Sequence, residues 1–334
     1  SPAFDAGGTS LDTYCSGAPT DQRGTARPNG AECDIGSFEY ALPVGPLQTL
    51  INAADSGATI NVPNGIYTES LTIGDGKTLV GSGPDNVIID ASNLNSSAII
   101  ATGDFTLIGI SVIGGSSAGH GGGIFADIDG TNISLNNVVF GNNSAASDGG
   151  AVYLRNGLLT VVNSAFGNNA AGGNGGAVFS GTSATVSGSL FEDNSAAGNG
   201  GAIANNGILT SSNNSFQTNI ANNGGAISVD AGDTPSANSS NDLFTANSAT
   251  RDGGAIYESG STLDVAGSVF QSNTAGDGGL AGDGGAIYTG SDTEISASTF
   301  TGNSAVAGEV PGEGGSIFED NSASGNGGAI ANNG

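Results

Sequence analysis

Small, apolar and amide-bearing positions recur along this chain in one fixed order. A Gly-Gly pair leads through a small residue, usually Ala, to an aliphatic one at Ile124, Val152, Val178, Ile203, Ile227, Ile256, Ile287, Ile317 and Ile330. Eight times a Phe is followed three residues later by Asn: Phe140/Asn143, Phe166/Asn169, Phe191/Asn194, Phe216/Asn219, Phe244/Asn247, Phe270/Asn273, Phe300/Asn303 and Phe318/Asn321. Each of these Asn has Ala two positions on. Successive aliphatic positions lie 28, 26, 25, 24, 29, 31, 30 and 13 residues apart. A period in the twenties with small insertions predicts a β-solenoid, in which each repeat buries its apolar face only against its neighbours. One unit runs Gly200-Gly201-Ala202-Ile203, a turn at Asn205–Gly207, a strand at Ile208–Thr210, then Ser215-Phe216 and Asn219.

Upstream the pattern changes. Leu47, Leu50, Ile51 and Ala54 have the i, i+3, i+4, i+7 spacing of one short amphipathic helix. After it come short β-branched runs at Ala58–Val62, Leu71–Ile73, Thr78–Val80, Val87–Ile89, Phe105–Leu107 and Ile110–Val112, separated by Gly, Asn and Pro turns. Each is long enough for one side of a coil.

Residues 1–41 read differently, with Phe4-Asp5-Ala6-Gly7, Thr20-Asp21-Gln22-Arg23-Gly24, Arg27-Pro28 and Cys33-Asp34-Ile35-Gly36-Ser37-Phe38-Glu39. This segment resembles the choice-of-anchor element that ends bacterial extracellular β-helices. Residues 42–113, a helix followed by short strands, resemble the opening of pectin lyase-like β-helices, where a helix caps the first coil. Residues 114–334, with their Gly-Gly-Ala-Ile and Phe-x-x-Asn signatures, resemble the polymorphic outer-membrane protein repeats of bacterial adhesins. These resemblances imply an all-β, right-handed parallel β-helix with one short N-terminal capping helix; the periodicity by itself implies only a β-solenoid.

Strands of adjacent coils lie about 4.8 Å apart, so a residue repeated once per coil sits on its own copies. Stacked Phe and stacked Ile/Val then form apolar columns, each side chain contributing roughly 1.5–3 kcal/mol on burial. Asn143, Asn169, Asn194, Asn219, Asn247, Asn273, Asn303 and Asn321 are expected to form a ladder that bonds the amides of neighbouring coils, and to supply the left-handed backbone of a sharp corner.

Composition narrows the partners. The 334 residues include 60 Gly and carry a formal net charge of -26, with 31 acidic and 5 basic side chains. Nucleic acid and anionic membrane both need Lys and Arg to neutralise phosphate, so neither is an expected partner. No apolar run reaches the 18 or so residues of a membrane-spanning helix. Cys15 and Cys33 stand 18 residues apart. One local disulfide would stabilise that segment by about 3 kcal/mol, in keeping with an oxidising extracellular setting; the other reading is two thiols.

Candidate chemistry is sparse. The residue before each Gly-Gly runs His120, Asp148, Asn174, Asn199, Asn223, Asp252, Asp283, Glu313 and Asn326. In-register stacking would place Asp252, Asp283 and Glu313 in a carboxylate column, with Asp277 nearby. Hard oxygen ligands suit Ca²⁺, the one cofactor the pattern suggests, although no standard calcium-loop motif accompanies it. Solvated turn residues are the plainer reading. A polysaccharide lyase or glycosidase is the rival class, since some pectin lyase-like β-helices are enzymes. A lyase would cluster a basic residue with its acids, whereas Arg23, Arg27, Lys77, Arg155 and Arg251 are scattered over different coils. Tyr153, Tyr257 and Tyr288 share one repeat position, where rings could stack sugars or merely flank the core.

Residues 317–334 duplicate 190–207 except at Leu190/Ile317 and Ala197/Ser324. That predicts an open C-terminal edge and association with further copies head-to-tail, as tandem modules or as a filament. The expectation is a non-enzymatic structural protein of the bacterial cell surface, a filament, stalk or adhesin, with glycans or a surface receptor as further partners.

Overall fold

The computed structural model describes residues 46–230, 236–260, 262–276, 282–290, 292–305, 317–319, 321–323 and 328–332. It is a parallel β-solenoid of about nine turns. A typical coil contributes four strands, as in Ile203–Asn205, Leu209–Ser212, Ser215–Gln217 and Ile220–Ala221. Equivalent strands of successive coils pair in parallel and build four sheets. The first has ten strands, from Thr59–Asn61 to Thr293–Ser296, and the second ten, from Leu71–Ile73 to Ile330–Asn332. The third has eleven, from Gly65–Tyr67 to Ile317–Glu319, and the fourth nine two-residue strands, from Ser116–Ser117 to Ser322–Ala323. The first three sheets cross the 113/114 boundary without a break, pairing Phe105–Ile108 with Ile133–Asn136. Parallel strands need long crossover connections, and here the other faces of the same coil provide them.

Register explains the repeat. Phe140, Phe166, Phe191, Phe216, Phe244, Phe270 and Phe300 pair in sequence along the third sheet, and all are wholly buried. Their rings stack at 4.6–5.0 Å with planes within 11° of parallel. Opposite them, Ile124, Val152, Val178, Ile203, Ile227, Ile256 and Ile287 form the second apolar column.

One turn residue is placed differently from the sequence expectation. Asn205 closes the strand Ile203–Asn205 rather than opening a turn, and its amide is buried with neither atom hydrogen-bonded. The reason is alternation. The third residue of each second-sheet strand faces inward, as Ala126, Leu154 and Ser180 do in the preceding coils.

The helix spans Leu47–Ala53, with Leu47 and Ile51 buried. Pro46 offers it no side-chain cap, so Glu69 supplies one: Leu47 N–H and Gln48 N–H donate to the two carboxylate oxygens at 2.6 and 3.2 Å. A carboxylate also suits the positive end of the helix dipole. Gln48 then pairs with the first strand of the second sheet, accepting from Thr72 N–H at 2.7 Å and donating to Thr72 C=O at 3.1 Å. The edge that a solenoid would leave open is thereby covered.

Candidate functional site

The predicted Asn positions stack into a continuous ladder. Asn169 is representative: its backbone N–H and its Nδ2 both donate to Asn194 Oδ1 at 3.1 and 3.0 Å, and Nδ2 also donates to Phe140 C=O at 3.2 Å. The pattern starts where Gly115 N–H meets Asn143 Oδ1 and runs to Asn321, which donates to Phe300 C=O. From Asn143 to Asn303 the ladder residues are wholly buried. The amide is the side chain that fits, because it carries an acceptor for two N–H groups below and donors for the coils on both sides.

The left-handed backbone falls one residue earlier than predicted. Asn142, Asn168, Asp193, Thr218, Ala246 and Ser272 have φ of 52–56°, and the ladder Asn after each does not. The ladder side chain has to point into the coil stack, so the residue before it makes the corner.

A second ladder escaped the sequence reading. At the corner between the first and third sheets, Ser164 N–H donates to Ser189 Oγ, Ser189 N–H to Asn214 Oδ1, Asn214 N–H to Asp242 Oδ1, Asp242 N–H to Ser268 Oγ and Ser268 N–H to Ser298 Oγ, at 2.8–3.2 Å. Each member stands two residues before a column Phe and directly after a residue of positive φ, such as Asn163, Gly188 or Asn213. That local motif was present, but its residue type varies too much to be seen as a repeat. Burial pushes the Asp242 carboxyl above its ordinary value, opposed by hydrogen bonds from Asn214, Ser211 and Ser239.

The residues preceding Gly-Gly form a third ladder that runs in the opposite sense. Asp148 N–H donates to His120 Nδ1, Asn174 N–H to Asp148 Oδ1, Asn199 N–H to Asn174 Oδ1, Asp252 N–H to Asn223 Oδ1 and Asp283 N–H to Asp252 Oδ1. Asp252 and Asp283 are therefore brought together one coil apart, and Asp252 serves as an acceptor for the next amide. Asp277, Glu313, Cys15 and Cys33 lie outside the described residues. Among the described residues, no three His, Cys, Asp or Glu gather to hold a metal. The Gly-Gly pairs beside this ladder are sterically required. A Cβ on Gly176, Gly201 or Gly225 would overlap the carbonyl oxygen of Gly201, Gly225 or Gly254 in the next coil.

The ladders can therefore hold coils in register over any number of repeats. At the remaining corner, after strand Val152–Leu154, Arg155 pairs with Asp127 at 3.1 Å and Asp129 at 3.2 Å. Burial, then the charges of Asp127 and Asp148, raise the Tyr153 phenol above its ordinary value, so it stands as a neutral ring. No described helix is long and apolar enough to cross a membrane.

Five stretches of the chain, residues 137–155, 188–206, 243–257, 267–290 and 315–333, match the Chlamydia polymorphic membrane protein repeat. Over those stretches the chain carries repeats of the polymorphic membrane protein type. The first two stretches run from the corner before the column Phe, through the Asn ladder, to the strand after Gly-Gly-Ala. The polymorphic membrane protein signature is thus the arc of the coil that carries the Phe column and two ladders. The strands of the first sheet, among them Leu158–Val162, Leu209–Ser212 and Thr262–Ala266, fall outside every matched stretch. No curated protein and no solved structure matches the chain.

Proposed function

We propose that this chain is an adhesin-like protein of a bacterial cell surface, a rod or stalk that presents its outer faces to a partner, and that addition of copies along the axis extends it into filaments. The carrying observation is the unbroken stacking of coils, five stretches of which match the polymorphic membrane protein repeat, with parallel sheets and side-chain ladders joining successive described coils. Such stacking transmits length rather than enclosing a pocket: ten strands at about 4.8 Å per step span roughly 43 Å. The large negative charge keeps neighbouring rods apart.

Protease shaving of intact cells, with negative-stain electron microscopy of the purified chain, tests this reading. Release of the protein from intact cells, together with rods or end-to-end fibres on the grid, is the expected result. A protein protected until lysis would overturn it.

A further inference from the structure

An Asn followed by Gly is a place where the backbone can attack its own side chain, because glycine leaves the approach to its nitrogen open. Six such pairs lie within the described residues: Asn64-Gly65, Asn156-Gly157, Asn174-Gly175, Asn199-Gly200, Asn206-Gly207 and Asn223-Gly224. Their hydrogen bonds divide them into held pairs and one free pair.

In the third ladder both reacting groups are held. Gly175, Gly200 and Gly224 donate their N–H groups to the carbonyl oxygens of Asn199, Asn223 and Asp252 in the next coil, each at 2.9 Å. The amide oxygens of Asn174, Asn199 and Asn223 accept from Asn199 N–H, Asn223 Nδ2 and Asp252 N–H at 2.8–3.1 Å. Outside the ladder, Gly65 N–H donates to Asn86 C=O and Gly157 N–H to Thr182 Oγ1, both at 2.9 Å. Gly207 N–H donates to none of the described residues. The Asn206 side chain beside it is exposed and is hydrogen-bonded to none of them either.

The fold also keeps this pair in place. A Cβ on Gly207 would overlap the Thr182 carbonyl of the preceding coil, so a bulkier residue that slows the attack has no room there. Asn205, just before the pair, is buried with its amide unpaired. An unpaired buried amide weakens the corner, and weakly held segments open first.

We propose that Asn206-Gly207 is a self-modification site, at which Asn206 deamidates through a succinimide. Gly207 N forms a bond to Asn206 Cγ, the Cγ–Nδ2 bond breaks, and Nδ2 leaves as ammonia with the proton from Gly207 N. Water then opens the ring at either carbonyl and gives aspartate or isoaspartate. Either product adds one negative charge at the corner where strand Ile203–Asn205 of the second sheet leads to strand Leu209–Ser212 of the first. Isoaspartate also routes the main chain through Cβ and lengthens that corner by one atom. The third ladder protects its own Asn-Gly pairs, because each nitrogen that would attack is engaged by the next coil.

The full chain is incubated at mildly alkaline pH, digested and mapped by mass spectrometry, with isoaspartate identified by isoaspartyl methyltransferase labelling. In the folded chain Asn206 is expected to convert on the order of tenfold faster than Asn174, Asn199 or Asn223. In urea, where the ladders are gone, the four rates should converge. Thr182→Val removes the hydroxyl that holds Gly157 N–H, so conversion at Asn156 should rise while that at Asn174 stays unchanged; an unchanged far-ultraviolet spectrum checks the fold of this variant. Three results would each overturn the site: a folded chain in which Asn206 reacts no faster than the ladder asparagines, a ranking that persists in urea, or an unchanged Asn156 in folded Thr182→Val. The readout is chemical and independent of where the protein resides, so its failure leaves the surface reading standing.

Discussion

Single residues carry strain where the ladders force a corner. Thr218 occupies φ 52°, a region that costs a residue with a Cβ roughly 1–2 kcal/mol, and its β-branch worsens the fit. Asn142 and Asn168 stand at the equivalent position in other coils. Thr218→Asn is therefore expected to stabilise the protein by about 1 kcal/mol, read from the urea midpoint. The hydroxyl bond to Asp193 that it gives up is exposed. Asp242 is costly for a different reason, a carboxyl buried in a ladder where the preceding coil uses Asn214. Because its folded pKa is raised, the folded chain holds a proton that the unfolded chain has released in the window above the ordinary carboxylate value. The stability from that proton is complete below the window and is lost as pH rises through it. Asp242→Asn should thus melt higher than the parent at pH 7, and the gap should narrow toward pH 3. An equal gap at both pH values would show that the carboxyl is not the cause.

Ladders and caps act through whole elements. Replacing Asn194 by Ala removes the acceptor for Asn169 N–H and Nδ2 and the donor to Phe166 C=O, all inside the stack. Buried groups left unpaired cost about 1–3 kcal/mol each, so a loss of at least 3 kcal/mol is expected in denaturant melts. Ser189→Ala should cost less, about 1 kcal/mol, because Ser189 Oγ accepts a single backbone N–H from Ser164. At the start of the solenoid, helix Leu47–Ala53 shields the strand Leu71–Ile73, with Gln48 pairing both Thr72 backbone groups. Deleting residues 46–54 uncovers that strand. Light scattering should then report concentration-dependent association stronger than that of the intact chain.

At the scale of the molecule, stability is a sum over coils and their interfaces, since each coil touches only its neighbours. Removing residues 178–202 joins Ala177 to Ile203 and takes out one complete coil, leaving every ladder continuous. The product is expected to fold with a cooperative melt and with each sheet one strand shorter. Removing 178–190 instead takes half a coil, throws the Phe column out of line with the Asn ladder and should abolish folding. Equal behaviour of the two deletions, by circular dichroism and gel filtration, would contradict in-register stacking.

The sequence alone determined the period of the coil, the Phe column and the Asn ladder. A residue repeated once per coil contacts its own copies, so for Phe166 or Asn194 the pattern along the chain is already the contact in space. The capping helix was also legible, from the spacing of Leu47 and Ile51. Other features depend on how the coil closes, and only the tertiary structure decided them. The length between Gly-Gly pairs sets which unrepeated side chain falls into line with which, so the ladder through Ser189, Asn214 and Asp242 and the burial of Asn205 appear only when coils are superposed. The same holds for the strip of Phe125, Tyr153 and Phe179. Its members share one strand position, but only the spacing of folded strands stacks three separated aromatics on one another, with His120, which precedes the first of their strands, packed against Tyr153.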